Sequence, residues 1–255
     1  MIVLAGFSEL LSTLTDNLSF VIISLTITLL MVAIAKVCET LIKLRKDPRL
    51  RTRKITCIAI FSAIAGILMI FDFALPFIPS FYKLDLSSIP VMIVAFAYGP
   101  VAGIVSEFIK IVLKVIFKGT STAFVGELAE FLIGSFMILP ASIIYYLKKT
   151  KKTAIVGLIT GTFVMTVFGS IFNAVYLIPA YAKLFGMPLD AIIGMAAKVN
   201  SEITSISTLV IFAVVPFNIL KGAVVSIVTM LIYKKLSPII HSVNENRRNY
   251  TTPEN

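Results

Sequence analysis

The chain has few of the groups that enzymes and soluble proteins usually require. Of its 255 residues only 14% are charged, and it has one histidine, two cysteines and no tryptophan. It has no CxxC or Cys/His cluster that would hold zinc and no GxxxxGK[ST] phosphate loop. It also has no HExxH, GxSxG or Cys/His nucleophile pair. The sequence therefore predicts a protein that is not an enzyme, holds no metal or cofactor, and cannot power itself with ATP.

In place of charge the chain is rich in apolar residues. Hydrophobic residues make up 58% of it and the mean hydropathy is +0.99, whereas a soluble domain is about half apolar and a quarter charged. Fifteen of the 23 lysines and arginines fall in three clusters, 43–54, 148–152 and 234–248. Such clusters are typical of cytoplasmic loops. We therefore expect an all-α integral membrane protein in the lipid bilayer. The net charge of +10 is explained by basic loops that anchor the chain on the cytoplasmic side rather than by nucleic-acid contact.

Seven apolar runs are spaced so that all three basic clusters lie on the cytoplasmic side. The predicted spans are 18–37, 55–71, two short ones within 89–118 that Gly99-Pro100 separates, 124–147, 154–176 and 208–235. Segments 72–88 and 177–207 then lie outside, the latter with a surface helix at 189–198. We expect an additional N-terminal segment over 1–45, a membrane domain over 46–241 and a disordered polar tail over 242–255.

Lys221 is the most informative residue, because it lies inside the last apolar run with Asn218 three positions earlier. A lysine at a helix centre costs roughly 2.5–3.5 kcal/mol on insertion scales. Residues three apart share a helix face, so the amide and the ammonium point the same way. This pair predicts a polar cavity or ligand inside the membrane, and we treat the Lys221 charge as unpaired.

Further polar residues collect in the outer half of the predicted bundle. Asp85 needs a partner beside an apolar loop, whereas Ser87 and Ser88 have two equally weighted interpretations, helix capping or ligand contact. A lone Asn173 is often helix–helix glue. A ligand-binding role for Asn173 becomes more plausible because Asn218 and Lys221 could face it.

The remaining outer charges have structural interpretations as well. Glu107 and Lys110 could pair with each other, at about even odds with a functional role. Lys114 and Lys118 fit snorkelling to the interface. Glu127 and Glu130 favour capping, since both lie near a predicted helix N-terminus.

Small residues recur four apart in the second run. Ala59 and Ala63 form one such pair, and Ser62 and Gly66 form another. This spacing lets a second helix approach closely. Packing within the bundle and docking of a separate membrane subunit both fit it.

Several motifs in combination resemble a known family. They are LDLSSIP at 84–90, GPVAG at 99–103, KGTSTAFVGELAEF at 118–131 and PFNILKG at 216–222. Over about 55–240 the chain is similar to the riboflavin-specific substrate-binding (S) components of energy-coupling factor (ECF) vitamin transporters, the RibU family.

The resemblance implies a six-helix S-component bundle that binds riboflavin in an outward-facing cavity in the bacterial cell membrane. It assigns Asn218, Lys221 and Asn173 to the ribityl hydroxyls, and Leu84, Asp85 and Ser88 to a gating loop near the ring edge. It also implies that a transmembrane coupling subunit docks on Ala59 and Ala63. Two cytoplasmic ATPases would supply energy, and the S component would topple to release its ligand. The extra N-terminal transmembrane helix departs from the family, and the resemblance assigns it no role.

Other functions stay open at this point. FMN or another vitamin is the first alternative, since Lys221 and Lys183 could meet a phosphate. A lipid-modifying membrane enzyme would need a nucleophile or metal ligands that the sequence does not offer. A sensor that never moves its ligand would lack the coupling subunit and ATPases.

Overall fold

The structure is a computed structural model, and it describes residues 18–42, 51–79 and 81–249. Within these ranges the chain is almost entirely helical, with one short β-hairpin. The hairpin pairs β1 (Phe73–Ala74) with β2 (Lys83–Leu84) in antiparallel register, Phe73 opposite Leu84.

Six long or central helices and several short ones follow in chain order. They are α1 (Leu18–Leu41), α2 (Arg51–Ile70), α3 (Ser88–Tyr98), α4 (Pro100–Lys118), α5 (Val125–Lys148) and α6 (Lys151–Phe172). A π-helical turn, Asn173–Leu177, joins α6 to α7 (Ile178–Leu184), and α8 (Leu189–Ala197) follows. The last span consists of α9 (Ile206–Leu209), a second π-helical turn (Val210–Val214) and α10 (Val215–Asn249).

Five of the described helices are long and apolar enough to cross a membrane: 20–41, 52–70, 125–148, 151–184 and 206–232. The other two predicted spans are α3, which has 11 residues, and α4, which carries Glu107 and three lysines. The all-α membrane fold is therefore confirmed. Basic residues flank the turn between α5 and α6, and the opposite end of the bundle is called the outer end below.

Helix α3 is the centre of the bundle. All nine residues from Ser88 to Phe96 are buried, which explains why this segment is apolar on every side. Phe96 stacks on Tyr145 of α5 with ring centroids 4.5 Å apart. A short helix surrounded by the others needs no lipid-facing side.

The turn between α3 and α4 is tied from two sides. Gly99 has φ +101°, a value that favours glycine, and Pro100 begins α4, where its missing N–H costs nothing. Lys54 Nζ donates to the Tyr98 carbonyl over 3.2 Å. The Val101 N–H donates to Glu39 Oε1 of α1 over 3.1 Å.

The additional helix α1 packs on the outside of α4 and α5. Its buried face presents Phe20, Met31 and Ala35 to a core cluster that includes Ile104 and Leu132. The Phe20 ring lies 5.7 Å from that of Phe172. In the structure α1 is thus an attached layer of the bundle, and its separation as a domain at residue 45 stays a prediction.

The C-terminal end differs from the expected disordered tail over 242–255. The structure continues α10 to Asn249, and no glycine or proline after Pro238 interrupts that stretch. Residues 250–255 lie outside the described residues.

The two small-residue pairs of α2 point in different directions. The Ser62 hydroxyl lies 2.8 Å from that of Ser106, and a Cβ at Gly66 would come within 2.9 Å of Leu113 Cβ. This pair therefore packs on α4. Ala59 and Ala63 are exposed, so no described helix covers them.

Helices α5 and α6 approach each other most closely at a pair of glycines. A Cβ at Gly157 would come within 2.5 Å of the Ala141 carbonyl oxygen, and one at Gly161 within 2.5 Å of the Met137 carbonyl oxygen. These glycines are four apart on one face of α6. They form the small-residue contact that lets two membrane helices touch backbone to backbone.

Replacing Gly157 or Gly161 with alanine should lower thermal stability, because the new methyl group meets rigid backbone. We expect a loss of about 1–3 kcal/mol, the usual cost of overpacking. Gly194 in α8 is the matched control, since a Cβ there meets nothing within 4 Å. Thermal unfolding in detergent measures all three variants, and equal stability of Gly157→Ala and Gly194→Ala would contradict the close approach.

Candidate ligand-binding cavity

A cavity of about 210 Å³ opens between the helices at the outer end of the bundle. Its apolar wall includes Met69, Met137, Met165, Leu177 and Phe217. Its polar wall includes Asp85, Ser88, Asn173, Asn218 and Lys221. An apolar pocket with a few convergent polar groups is the usual form of a small-molecule site.

Lys221 lies at the centre of an ion-pair network. Its Nζ is 3.1 Å from Asp85 Oδ2 and 3.3 Å from Glu130 Oε1. The expectation of an unpaired charge is therefore wrong. Sequence spacing could not reveal these partners, since they lie 136 and 91 residues away.

Asp85 is held at the end of the segment that covers the cavity. Its Oδ1 accepts from the Ser87 backbone N–H over 2.8 Å and also from the Ser87 hydroxyl. Burial would raise the pKa of the Asp85 carboxyl, but the Lys221 ammonium, Lys110 and the Ser87 bonds outweigh burial and hold that pKa below its usual range. Asp85 thus stays ionised, and the ion pair is lost only in strong acid.

Residues 71–79 and 81–87, here called the hairpin segment, lie over the outer side of the cavity and contribute Asp72, Phe81, Tyr82, Lys83 and Asp85 to its wall. Tyr82 donates its hydroxyl to Asn173 Oδ1 over 2.9 Å, and burial raises the pKa of this phenol above its usual range, so it remains a donor. Asp85 binds Lys221. The hairpin segment is therefore attached to α10 and to the π-helical turn after α6 by two separate polar contacts.

Asn173 and Asn218 both lie next to Gly169. Asn173 Nδ2 donates to the Gly169 carbonyl over 2.7 Å, and a Cβ at Gly169 would lie 3.0 Å from Asn218 Nδ2. Asn218 is 3% exposed, yet its amide makes no hydrogen bond to any residue that the structure describes. Asn218 lines the cavity, so its amide is available to a ligand there.

Two π-helical turns lie beside these asparagines, one starting at Asn173 and one ending at Val214, four residues before Asn218. Such turns are rare and often occur at functional sites. Nothing in the sequence analysis indicated them, because apolar periodicity does not separate a π turn from an α-helix.

Leu84 has a different place from the other predicted site residues. It is 5% exposed and packs with Ile78 and Phe217 in a small apolar cluster. Phe217 lines the cavity, whereas Leu84 itself does not. Ser88 lines the cavity and is buried in the first turn of α3. Ser87 is the N-cap residue of α3 but makes no side-chain cap bond, because its hydroxyl binds Asp85.

A second set of ion pairs supports the cavity wall. Glu107 and Lys110 are fully buried, with Oε1 and Nζ 2.7 Å apart, which supports the pairing interpretation. The Glu107 carboxylate lies where a Cβ at Gly134 would stand. Its Oε2 has no partner among the described residues.

Two other interpretations of charged residues need correction. Lys114 does not snorkel, because its ammonium binds the Glu127 carboxylate, which also accepts from the Thr120 and Thr122 hydroxyls over 2.9 Å. Capping does not describe Glu130, whose carboxylate contacts Lys221 instead. Glu130 lies more than one turn into an apolar helix, and this position was the sequence signal that it needs a partner.

The fold defines a multi-pass membrane protein, and its cavity has the form of a small-molecule site. Residues 53–233 match the family model described as "ECF transporter, substrate-specific component". The chain belongs to this family of transport proteins, which are not enzymes. Helix α1 lies outside the matched range.

Curated relatives match over nearly their whole length. The riboflavin transporter FmnP of Bacillus subtilis is 35% identical over 192 residues, which cover 75% of this chain and 95% of that protein. The riboflavin transporter RibU of Staphylococcus aureus is 34% identical over 199 residues, covering 78% and 98%. A solved structure of the S component of a bacterial ECF transporter matches with a TM-score of 0.59 at 35% identity, covering 74% of this chain and 98% of that one.

Replacing Lys221 with methionine should destabilise the protein, because Asp85 and Glu130 lose their shared cation. Truncating one member of a fully buried pair costs about 3–5 kcal/mol, and we expect less here because the Lys221 side chain is 12% exposed. Adding Asp85→Asn should recover part of the loss. Lys83→Met is the control, since this half-exposed lysine lies 3.5 Å from Asp72 and such surface pairs contribute little. Unfolding in detergent measures the three variants beside the parent protein, and no recovery in the double variant would contradict the network.

Proposed function

We propose that this chain is the riboflavin-binding subunit of an ECF-type transporter in the bacterial plasma membrane, energised by a separate coupling subunit and two ATPases. The observation that carries the proposal is the match to riboflavin transporters over 95% and 98% of their lengths. The family match over residues 53–233 includes every residue that lines the cavity.

The chemistry of the cavity supports riboflavin as the ligand. A flavin has an apolar planar ring with polar edges and a hydroxylated tail. Met69, Met137, Met165 and Phe217 supply apolar surface for the ring. Asn173, Asn218 and Lys221 supply donors and acceptors for hydroxyl groups, and we assign them to the ribityl chain. Asp85, Ser88 and the neighbouring Leu84 are assigned to the ring edge.

The size of the cavity indicates that the hairpin segment moves when ligand enters. Pockets for drug-sized ligands usually measure about 300–1,000 Å³, and this cavity measures about 210 Å³. The contacts Tyr82–Asn173 and Asp85–Lys221 draw the hairpin segment inward. We infer that the ligand replaces these contacts with its own polar groups.

The charges around the cavity favour riboflavin over FMN. Each lining lysine is already paired: Lys83 with Asp72, Lys114 with Glu127, and Lys221 with Asp85 and Glu130. A phosphate would have to displace a carboxylate from one of them. Lys183, the other lysine considered for a phosphate, does not line the cavity.

Asn218→Ala should weaken riboflavin binding roughly tenfold, because one or two ligand hydrogen bonds are lost while no described protein bond is broken. Quenching of riboflavin fluorescence on titration with detergent-purified protein gives the affinity. Asn200→Ala is the control, since Asn200 lies in the outer polar turn and its side-chain Oδ1 accepts from the Glu202 N–H. FMN should bind the parent protein more weakly than riboflavin. Unchanged affinity in Asn218→Ala would reject the assignment of this amide.

The exposed face of α2 is proposed to dock the coupling subunit through Ala59 and Ala63. Both alanines are uncovered, whereas the neighbouring Ser62 is fully buried against α4. The uncovered pair offers the close approach that small residues allow. Toppling within the membrane is part of the family's expected mechanism, and this surface is where it would be driven.

Ala59→Phe or Ala63→Phe should block riboflavin uptake while leaving riboflavin binding intact, because the ring prevents close helix approach at the docking face. Uptake is measured in cells that co-express the coupling subunit and the ATPases, and binding is measured on purified protein. Ala33→Phe on the exposed face of α1 is the matched control and should leave uptake unchanged. Loss of binding in Ala59→Phe would place this alanine inside the bundle instead.

A further inference from the structure

The outward surface of the hairpin segment is almost wholly apolar. Phe71, Phe73 and Phe77 are 71%, 50% and 62% exposed, and Ala74, Pro76 and Leu86 are exposed as well. The opposite face of the same segment packs Leu75 and Ile78 towards Phe217. The inner face also carries Tyr82 and Asp85, which contact Asn173 and Lys221, so the outward face is the more apolar of the two.

Exposing this apolar surface to water is energetically unfavourable. A contiguous patch of large apolar residues on an exposed loop indicates a contact with another apolar phase. Of the charged groups in the segment, Asp85 pairs with Lys221 in the cavity. The other two, Asp72 and Lys83, lie at one edge, where Asp72 pairs with Lys83 and with Lys118 of α4. The exposed phenylalanine rings take no part in these ion pairs.

The patch continues the lipid-facing surfaces of two spans. Phe71 follows the last residue of α2, whose exposed residues include Ile60, Ile64 and Ile67. Helix α4 ends in Ile116 and Phe117, which are 67% and 69% exposed. Lys118 joins the two helix ends, since its Nζ donates to the Ile70 carbonyl over 3.1 Å and to Asp72.

We propose that the outer face of the hairpin segment is inserted into the lipid bilayer at the boundary between headgroups and acyl chains. Interfacial segments with apolar aromatic residues on one face bury that face about 5–10 Å into this boundary. Lys83 and Lys118 lie at the edge of the patch, at the level where lysines meet lipid phosphates. The cover of the cavity is thus held between the bundle and the membrane.

The inference requires the membrane placement of the spans but no particular ligand. Insertion of the hairpin segment into the bilayer can therefore be tested whether or not the protein binds riboflavin. A second copy of this chain is the other occupant that such a patch could have, and the test separates it from lipid.

The absence of tryptophan from the chain allows a direct test with single-tryptophan variants. Phe77→Trp reports on the patch, with Phe73→Trp as a second probe should the first fail to fold. Phe108→Trp in α4, at a 57% exposed position in a span, is the control for lipid contact. Glu202→Trp, in the exposed polar turn after α8, is the control for water. Each variant is reconstituted into lipid nanodiscs, one protein per disc, with lipids brominated at shallow or deep acyl positions.

The proposal predicts blue-shifted emission for Phe77→Trp, quenched more by shallow bromines than by deep ones. Phe108→Trp should be quenched more by deep bromines, and Glu202→Trp should be quenched little by either. Emission and quenching of Phe77→Trp equal to those of Glu202→Trp would overturn the proposal, because the patch would then face water. Blue-shifted emission that appears only at high protein density in vesicles, without lipid quenching, would overturn it in favour of a second copy.

Discussion

The contact on which the rest of the site depends is the bridge from Lys221 to Asp85 and Glu130. One ammonium on α10 connects the hairpin segment to α5, at distances of 3.1 and 3.3 Å. The Lys221 charge, which would be costly alone within the membrane, is thereby paired with two carboxylates. Because the bridge also lines the cavity, the same groups that hold the hairpin segment on the bundle are available to a ligand. In the proposed function, attachment of the hairpin segment and affinity for the ligand therefore depend on the same polar atoms.

This arrangement accounts for the order in which the parts of the molecule can move. Helix α3 is enclosed on all sides, and glycines bring α5 and α6 into backbone contact, so this part of the bundle is rigid. The hairpin segment, by contrast, is held mainly by two polar contacts and a small apolar cluster. In the proposed function we therefore expect ligand entry to rearrange the hairpin segment and to leave the helical scaffold in place. Helix α1, which the family model does not include, packs on the side of α4 and α5 and leaves the α2 face open.

Much of the fold was predictable because it follows from composition and charge. Long apolar runs and basic clusters define the spans, and the Gly99-Pro100 pair indicates the turn between α3 and α4. The importance of Lys221 and Asn218 could also be predicted, because burying a lysine or an amide in a membrane costs free energy unless it has a polar partner. The partners of Lys221 could not be predicted, because pairing across 136 and 91 residues depends on how helices are arranged in three dimensions. The same reason explains the misinterpretation of Lys114 and Glu130, whose local surroundings suggested snorkelling and capping.

Some features have no sequence signal of the kind used here. The π-helical turns at 173–177 and 210–214 shift the register of two helices where the asparagines lie, without changing the apolar pattern. The free amide of Asn218 is visible only once its neighbours are placed. The faces of α2 were likewise ambiguous in sequence, since both small-residue pairs have the same spacing and only packing separates Ser62 and Gly66 from Ala59 and Ala63.

The visible absorption spectrum of the protein, purified in detergent from riboflavin-containing medium, tests the account most directly. The account predicts a yellow protein whose flavin absorption corresponds to one riboflavin per chain and is lost on denaturation and filtration. A colourless protein that remains colourless after incubation with riboflavin and removal of the excess would contradict it.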